Sequence, residues 1–146
     1  MGNTTKTKTP LIKNKKIYSK GGRASVDYFE RKLDDKRRVS IPTELRSEFA
    51  SGIVITRGFD RYLHVYPKNV WDREVEPALS GSGAILDEKI ADMNVRFRYG
   101  KTDANLDTKQ GRVVIEQHLL DFANINKDIV AVRVGSYWRF LAKDNV

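Results

Sequence analysis

The 146-residue chain contains no cysteine. Disulfides, thiol nucleophiles and zinc–cysteine sites are therefore excluded. No apolar run approaches the ~18 residues that a membrane helix needs. The N-terminus is basic but has no apolar stretch behind it, which does not fit a secretory signal. A soluble, cytoplasmic protein is the expectation. Histidine is scarce: His64 and His118 stand far apart and without metal-ligand spacing. His64 reads as a partly exposed strand residue. Phosphate loops, nucleophile elbows and His-Glu metal motifs are missing. Neither an enzyme nor a bound cofactor or metal is expected.

Acidic residues are missing from residues 1–23, which hold seven positive charges: Lys6, Lys8, Lys13, Lys15, Lys16, Lys20 and Arg23. The net charge is +8, so 8 − 7 leaves only +1 for the rest of the chain. The basic character belongs mostly to this end, and alone it is a weak argument for nucleic-acid binding. The segment is rich in Lys, Thr and Asn, is poor in apolar residues and ends near Gly21-Gly22. It reads as a basic disordered tail over residues 1–25.

What the chain does have is a repeat. Residues 33–46 read LDDKRRVSIPTELR, and residues 106–120 read LDTKQGRVVIEQHLL. Setting Arg38 on Arg112 (112 − 38 = 74) also sets Val39 on Val113, Ile41 on Ile115 and Leu45 on Leu119. Each copy has an acidic-to-basic turn, a short alternating strand and a short helix. A repeat this long is not a solenoid unit. It points to two related half-modules around one core, with residues 26–83 as the first, 84–100 as a connecting helix and 101–146 as the second.

The pattern predicts strands over 28–33 and 39–41, then a helix opened by Pro42 with Leu45 and Phe49 facing the core. Gly52 ends that helix, and strands follow over 53–56 and 62–66. Gly58 sits in their connection, free to take positive φ, and Arg57 and Asp60 read as an internal ion pair. A helix starting at Lys68 or Asn69 runs through Trp71 and Val75, with Pro77 disturbing its end. Leu86, Ile90, Met93 and Phe97 mark one amphipathic helix of about four turns. Together with Trp71 they read as core or subunit contacts. The second half is expected to have strands at 104–107, 112–115, 129–134 and 138–142, and a helix at 116–123.

The two turns carry the chemistry. Arg38 follows Asp34 by four residues across a tight turn, where the two charges can pair. A guanidinium held this way is a planar donor suited to a phosphate or a guanine edge. Lys36 and Arg37 add charge for a phosphate backbone. Asp107, Lys109 and Arg112 offer a similar set. The structural alternative is an Asp–Arg pair that only pins a hairpin.

These residues resemble the MraZ family, bacterial transcriptional regulators with two AbrB-like half-modules in one chain. Leu33, Asp34, Lys36, Arg38, Ile41, Pro42, Leu45 and Arg46 match its first block. Thr56, Arg57, Gly58, Asp60, Leu63, Tyr66, Pro67 and Trp71 match its second. Leu106, Asp107, Gly111 and Arg112 resemble its third. The chain departs from the pattern with Arg37 for a glycine, Glu116 for a proline, Leu120 for an arginine and a second turn one residue longer.

The resemblance implies an α+β fold. Two swapped-hairpin half-modules would form a pseudo-twofold β-barrel with peripheral helices. It also implies a homo-oligomeric ring that reads repeated short boxes in double-stranded DNA, associated with the nucleoid. The implied role is repression of the division and cell-wall gene cluster, including the protein's own operon. Arg38 and Arg112 would make the main contacts, Lys36, Arg37 and Lys109 would meet phosphates, and Asp34 and Asp107 would be structural turn partners. The longer second turn, which loses the four-residue spacing, implies a weaker contribution from that half. Other readings remain: an RNA-binding or ribosome-associated basic protein, an assembly protein whose ring is its function, and a toxin-neutralising relative.

Overall fold

The computed structural model describes residues 17–18 and 24–146. The rest of the expected disordered tail lies outside the described residues. Within the tail's bounds, β1 (Ile17–Tyr18) pairs antiparallel with β2 (Ala24–Ser25).

The fold is α+β, and among the described residues all strand pairs are antiparallel. β3 (Tyr28–Lys32) leads through the first turn into β4 (Arg38–Ser40). Pro42 then caps a helix, Thr43–Phe49, that buries Leu45 and Phe49. It is a 3₁₀-helix, tightened by bonds such as Leu45 N–H to Pro42 O at 2.9 Å. Gly52, at φ +117°, closes it as expected. β5 (Ile53–Arg57) and β6 (Leu63–Pro67) follow.

Helix α1 (Lys68–Val70), a π turn (Trp71–Val75) and α2 (Glu76–Leu79) then run on without a break. Pro77 has no N–H to give to residue 73, and its ring crowds that carbonyl. The wider π turn absorbs the misfit.

The single amphipathic helix expected through Leu86 and Phe97 is two helices, α3 (Ser82–Leu86) and α4 (Glu88–Arg98). Asp87 divides them: its backbone is extended, and its carboxylate accepts the Lys89 N–H at 2.9 Å as an N-cap. Phe97 is therefore in the core while Leu86 is 84% exposed.

The second half holds β7 (Thr102–Ala104), β8 (Arg112–Val114), α5 (Gln117–Phe122), β9 (Asp128–Val134) and β10 (Tyr137–Ala142). β7 lies earlier than the 104–107 predicted, because the Asp107 carboxylate is taken up by the turn that follows it.

Six strands form one sheet in the order β3-β9-β10-β6-β5-β7, and β4 and β8 form a separate two-stranded ribbon. The sheet order has a mirror logic. Each half's first strand, β3 or β7, lies at an edge and pairs with a strand of the other half. β6 and β10 meet at the centre, with His64 opposite Arg139. The repeat offset of 74 holds in the ribbon, where Val39 lies opposite Val113 (113 − 39 = 74). Val39, Ile41, Val113 and Ile115 all point into one core, with Phe29 packed on Trp138 and Phe140 at ring distances of 5.3 and 6.0 Å.

His64, expected to be partly exposed, is 1% exposed. It shares a 2.9 Å hydrogen bond with the Tyr66 hydroxyl and packs among Phe59, Phe97 and Tyr137. Burial first, and the Arg139 charge second, lower its pKa from 6.5 to about 4. The folded protein therefore keeps His64 neutral while the unfolded chain takes up a proton below pH 6.5. The resulting stability is complete above that pH and is lost as the pH falls towards 4. Urea unfolding across this window should show a loss of up to about 3 kcal/mol. His64→Gln should flatten that limb, and an unchanged slope in the variant would place the proton uptake elsewhere.

Candidate nucleic-acid interface

The ribbon of β4 and β8 brings the arginines of the two turns onto one face. Arg38 lies opposite Val114, and Ser40 lies opposite Arg112. Because strand side chains alternate, Val39 and Val113 go to the core and the other four share the outer face. Arg38 and Arg112 are thus diagonal neighbours on one face, at a spacing of roughly 7–8 Å for such pairs. The strands run in opposite directions, so the turns sit at opposite ends of the ribbon.

In the first turn, one Asp34 oxygen accepts the backbone N–H groups of Lys36 at 2.9 Å and Arg38 at 2.8 Å. The other accepts Arg38 Nε at 2.6 Å. In the second, one Asp107 oxygen accepts the backbone N–H groups of Lys109 at 3.0 Å and Gln110 at 2.6 Å. The other takes Arg112 Nε at 2.9 Å. The extra residue leaves the Asp107–Arg112 pair in place despite the changed spacing. It is absorbed because Gln110 supplies an additional N–H to the same carboxylate.

Desolvation works to raise the Asp34 pKa, but the backbone and guanidinium bonds from Arg38 outweigh it and the group titrates below 3.8. Asp107 is held well below the ordinary carboxylate range, first by the Gln110 N–H and then by Arg112. Both groups are depressed, so their stabilisation is present above the unfolded value near 3.8 and is lost only in stronger acid.

Each arginine uses its Nε on the aspartate. Neither Nη group of Arg38 or Arg112 bonds to another described residue. Both side chains are about a quarter exposed, at 27% and 26%. Lys36 and Lys109 are exposed beside them.

Arg37 is different. It has φ +60°, where the second turn has Gly111 at φ +61°. An arginine in that left-handed conformation costs about 1–2 kcal/mol that glycine does not pay. Its Nε donates to Ile115 O at 3.2 Å, and its Nη2 lies 3.7 Å from Glu116.

Arg46, which the sequence reading did not place at the site, donates Nε to Ile41 O at 2.9 Å and covers Gly111 so closely that a Cβ there would collide with its guanidinium. Its bond to Ile41 O is local, but the Gly111 backbone that it covers lies across the ribbon.

The Arg57–Gly58 block is a clasp rather than an ion-paired hairpin. Arg57 Nε donates to Arg96 O at 3.3 Å, and Arg96 Nη1 donates to Gly58 O at 3.0 Å. Among the described residues, Arg57 forms no salt bridge with Asp60. Gly58 is not in positive φ. It is needed because a Cβ would come within 2.5 Å of the Tyr62 ring. His118 bonds Gly100 O at 2.8 Å. Among the described residues there is no group of three or more His, Cys, Asp or Glu that could hold a metal, and no helix is long and apolar enough to cross a membrane.

Residues 27–84 match the family model described as "MraZ protein, putative antitoxin-like". The chain is 39% identical over 105 residues to the transcriptional regulator MraZ of Clostridium tetani, covering 71% of each chain. It is 32% identical over 122 residues to that of Clostridium acetobutylicum, covering 77% of each. With the Roseiflexus castenholzii protein of the same name it shares 37% over 113 residues, 75% of each.

The chain belongs to the MraZ family.

The segment matched by the MraZ family model contains the first turn, β4, Arg57 and Gly58, while Arg96, the other side of the clasp, lies beyond it. The second turn lies beyond it, and the case for that turn rests on the internal repeat and the ribbon geometry. The MraZ relatives are named as transcriptional regulators.

Proposed function

We propose that the chain is a sequence-specific DNA-binding transcriptional regulator. The observation that carries this reading is the pair of aspartate-anchored arginines on the outer face of a two-stranded ribbon. A ribbon of that kind fits the ~12 Å major groove of B-DNA, and a fixed guanidinium suits the O6 and N7 acceptors of guanine. Arg38 and Arg112 read base edges, while the exposed Lys36 and Lys109 neutralise phosphates. The narrow major groove of A-form RNA does not admit the ribbon, which disfavours an RNA-binding role.

The crossed strand pairing, β3 with β9 and β5 with β7, supports a swapped-hairpin barrel of two AbrB-like halves, residues 26–83 and 101–146, joined through 84–100. The exposed apolar side chains of Ile85 and Leu86 are suited to subunit contacts in a homo-oligomeric ring. A ring presenting many ribbons gains avidity from repeated short boxes. The target is DNA upstream of the division and cell-wall gene cluster, with the protein as a nucleoid-associated repressor of its own operon.

Fluorescence anisotropy tests this. DNA from upstream of the operon is compared with a scrambled duplex over a salt series, using the full chain and one lacking residues 1–23. Preference for the native duplex should survive the deletion. Equal binding to both duplexes, abolished with the tail, would leave only electrostatic attraction and remove the sequence-reading role.

A further inference from the structure

The two halves close the same joint with different arginines. In the first half the strand-to-helix bend at Ile41-Pro42 is closed by Arg46, whose Nε bonds Ile41 O at 2.9 Å over the bare backbone of Gly111. The repeat offset of 74 equates Ile41 with Ile115, Pro42 with Glu116, Arg46 with Leu120 and Arg37 with Gly111. At the second bend the position of Arg46 holds Leu120, which is 2% exposed and carries no donor. The equivalent carbonyl, Ile115 O, is bonded instead by Arg37 Nε at 3.2 Å. Arg37 reaches it from the turn of the opposite half, and Glu116 lies 3.7 Å from its Nη2. The backbone contact across the ribbon is the same at both joints: Ile41 N–H to Gly111 O and Ile115 N–H to Arg37 O, both at 2.9 Å.

We infer that the closing guanidinium has been transposed, and that Arg37 is a positioning residue that locks the Arg38 turn onto the second bend, not a phosphate contact. The three departures at 37, 116 and 120 form one exchange. A side chain at 37 requires a non-arginine at 120, since a guanidinium there would fall where Arg37 lies. Arg46 in this pose likewise leaves room only for glycine at 111, and a side chain there would displace its guanidinium from Ile41 O. The two turns are therefore held differently, the first by its own side chain and the second by a helix residue of the other half.

The functional part of this inference rests on the DNA-binding reading, and two separate readouts test it. The first is the melting temperature in a double-mutant cycle of Gly111→Arg and Arg46→Leu. Gly111→Arg alone should lower Tm by several degrees or prevent folding, because the added atoms meet the Arg46 guanidinium. Adding Arg46→Leu should restore much of the loss, since it copies the arrangement of the second joint. Additive losses, or a double variant as unstable as Gly111→Arg, would overturn the transposition.

The second readout is DNA affinity across a salt series for Arg37→Gly. Affinity for the native duplex should fall while the slope of log K against log salt stays that of the parent chain. A slope reduced by about 0.9 would make Arg37 a phosphate contact and overturn its positioning role. If no form prefers the native duplex, the DNA reading and the positioning role built on it both fail, while the melting cycle still decides the transposition.

Discussion

Arg38→Ala should lose roughly 10- to 100-fold in affinity for the native duplex, as expected for one bidentate base contact. Binding to a scrambled duplex should change far less, because the exposed lysines that meet phosphates remain. Arg38→Lys should not rescue, since an ammonium cannot offer two parallel donors. Asp34→Ala should fall between, because the guanidinium is kept but no longer held by the 2.6 Å bond. Arg112→Ala decides whether the second turn reads DNA equally. Its Asp107 bond at 2.9 Å survives the longer turn, so a loss within a few-fold of that for Arg38→Ala is expected. Anisotropy with both duplexes gives all four numbers. A uniform loss on native and scrambled DNA would assign these arginines to the backbone instead.

Glu48→Ala should cost about 1–3 kcal/mol of folding stability, read from urea unfolding. Glu48 accepts the Trp138 indole N–H at 3.0 Å and both Nη groups of Arg133, at 3.1 and 3.3 Å. The ion pair is partly exposed and is worth little after solvent screening. The larger share is the indole N–H of a fully buried tryptophan, left without an acceptor by the truncation. Glu48→Gln retains an acceptor and should cost less than half as much. Equal losses for the two variants would mean that the charge, rather than the indole bond, matters most.

Most strands of the sheet and ribbon and the two turns were legible in the sequence because each rests on local chemistry, whereas β1, β2 and the position of β7 were not. Val39 and Ile41 alternate with polar neighbours, and Asp34 needs only residues two and four further on to form its turn. The division at Asp87 was harder to see, since Leu86 and Ile90 keep helical spacing across an N-cap. His64 and Arg57 depart from their expected settings for another reason. Their surroundings come from segments distant in the chain, namely Arg139 and Tyr137 for one and the end of α4 for the other. The ion pair within the second turn survived because a carboxylate accepts several N–H groups, which residue counting alone does not reveal.

The crossed pairing also bears on how the chain acquires its fold during synthesis. Phe29 in β3 lies opposite Ala131 in β9, 131 − 29 = 102 residues later. β5 likewise finds its edge partner only in β7. At translation rates of about 5–20 residues per second, β3 waits roughly 5–20 s after emerging before its partner exists. Through that interval the nascent first half carries open strand edges, and the ribosome-bound chain depends on its last third to close them.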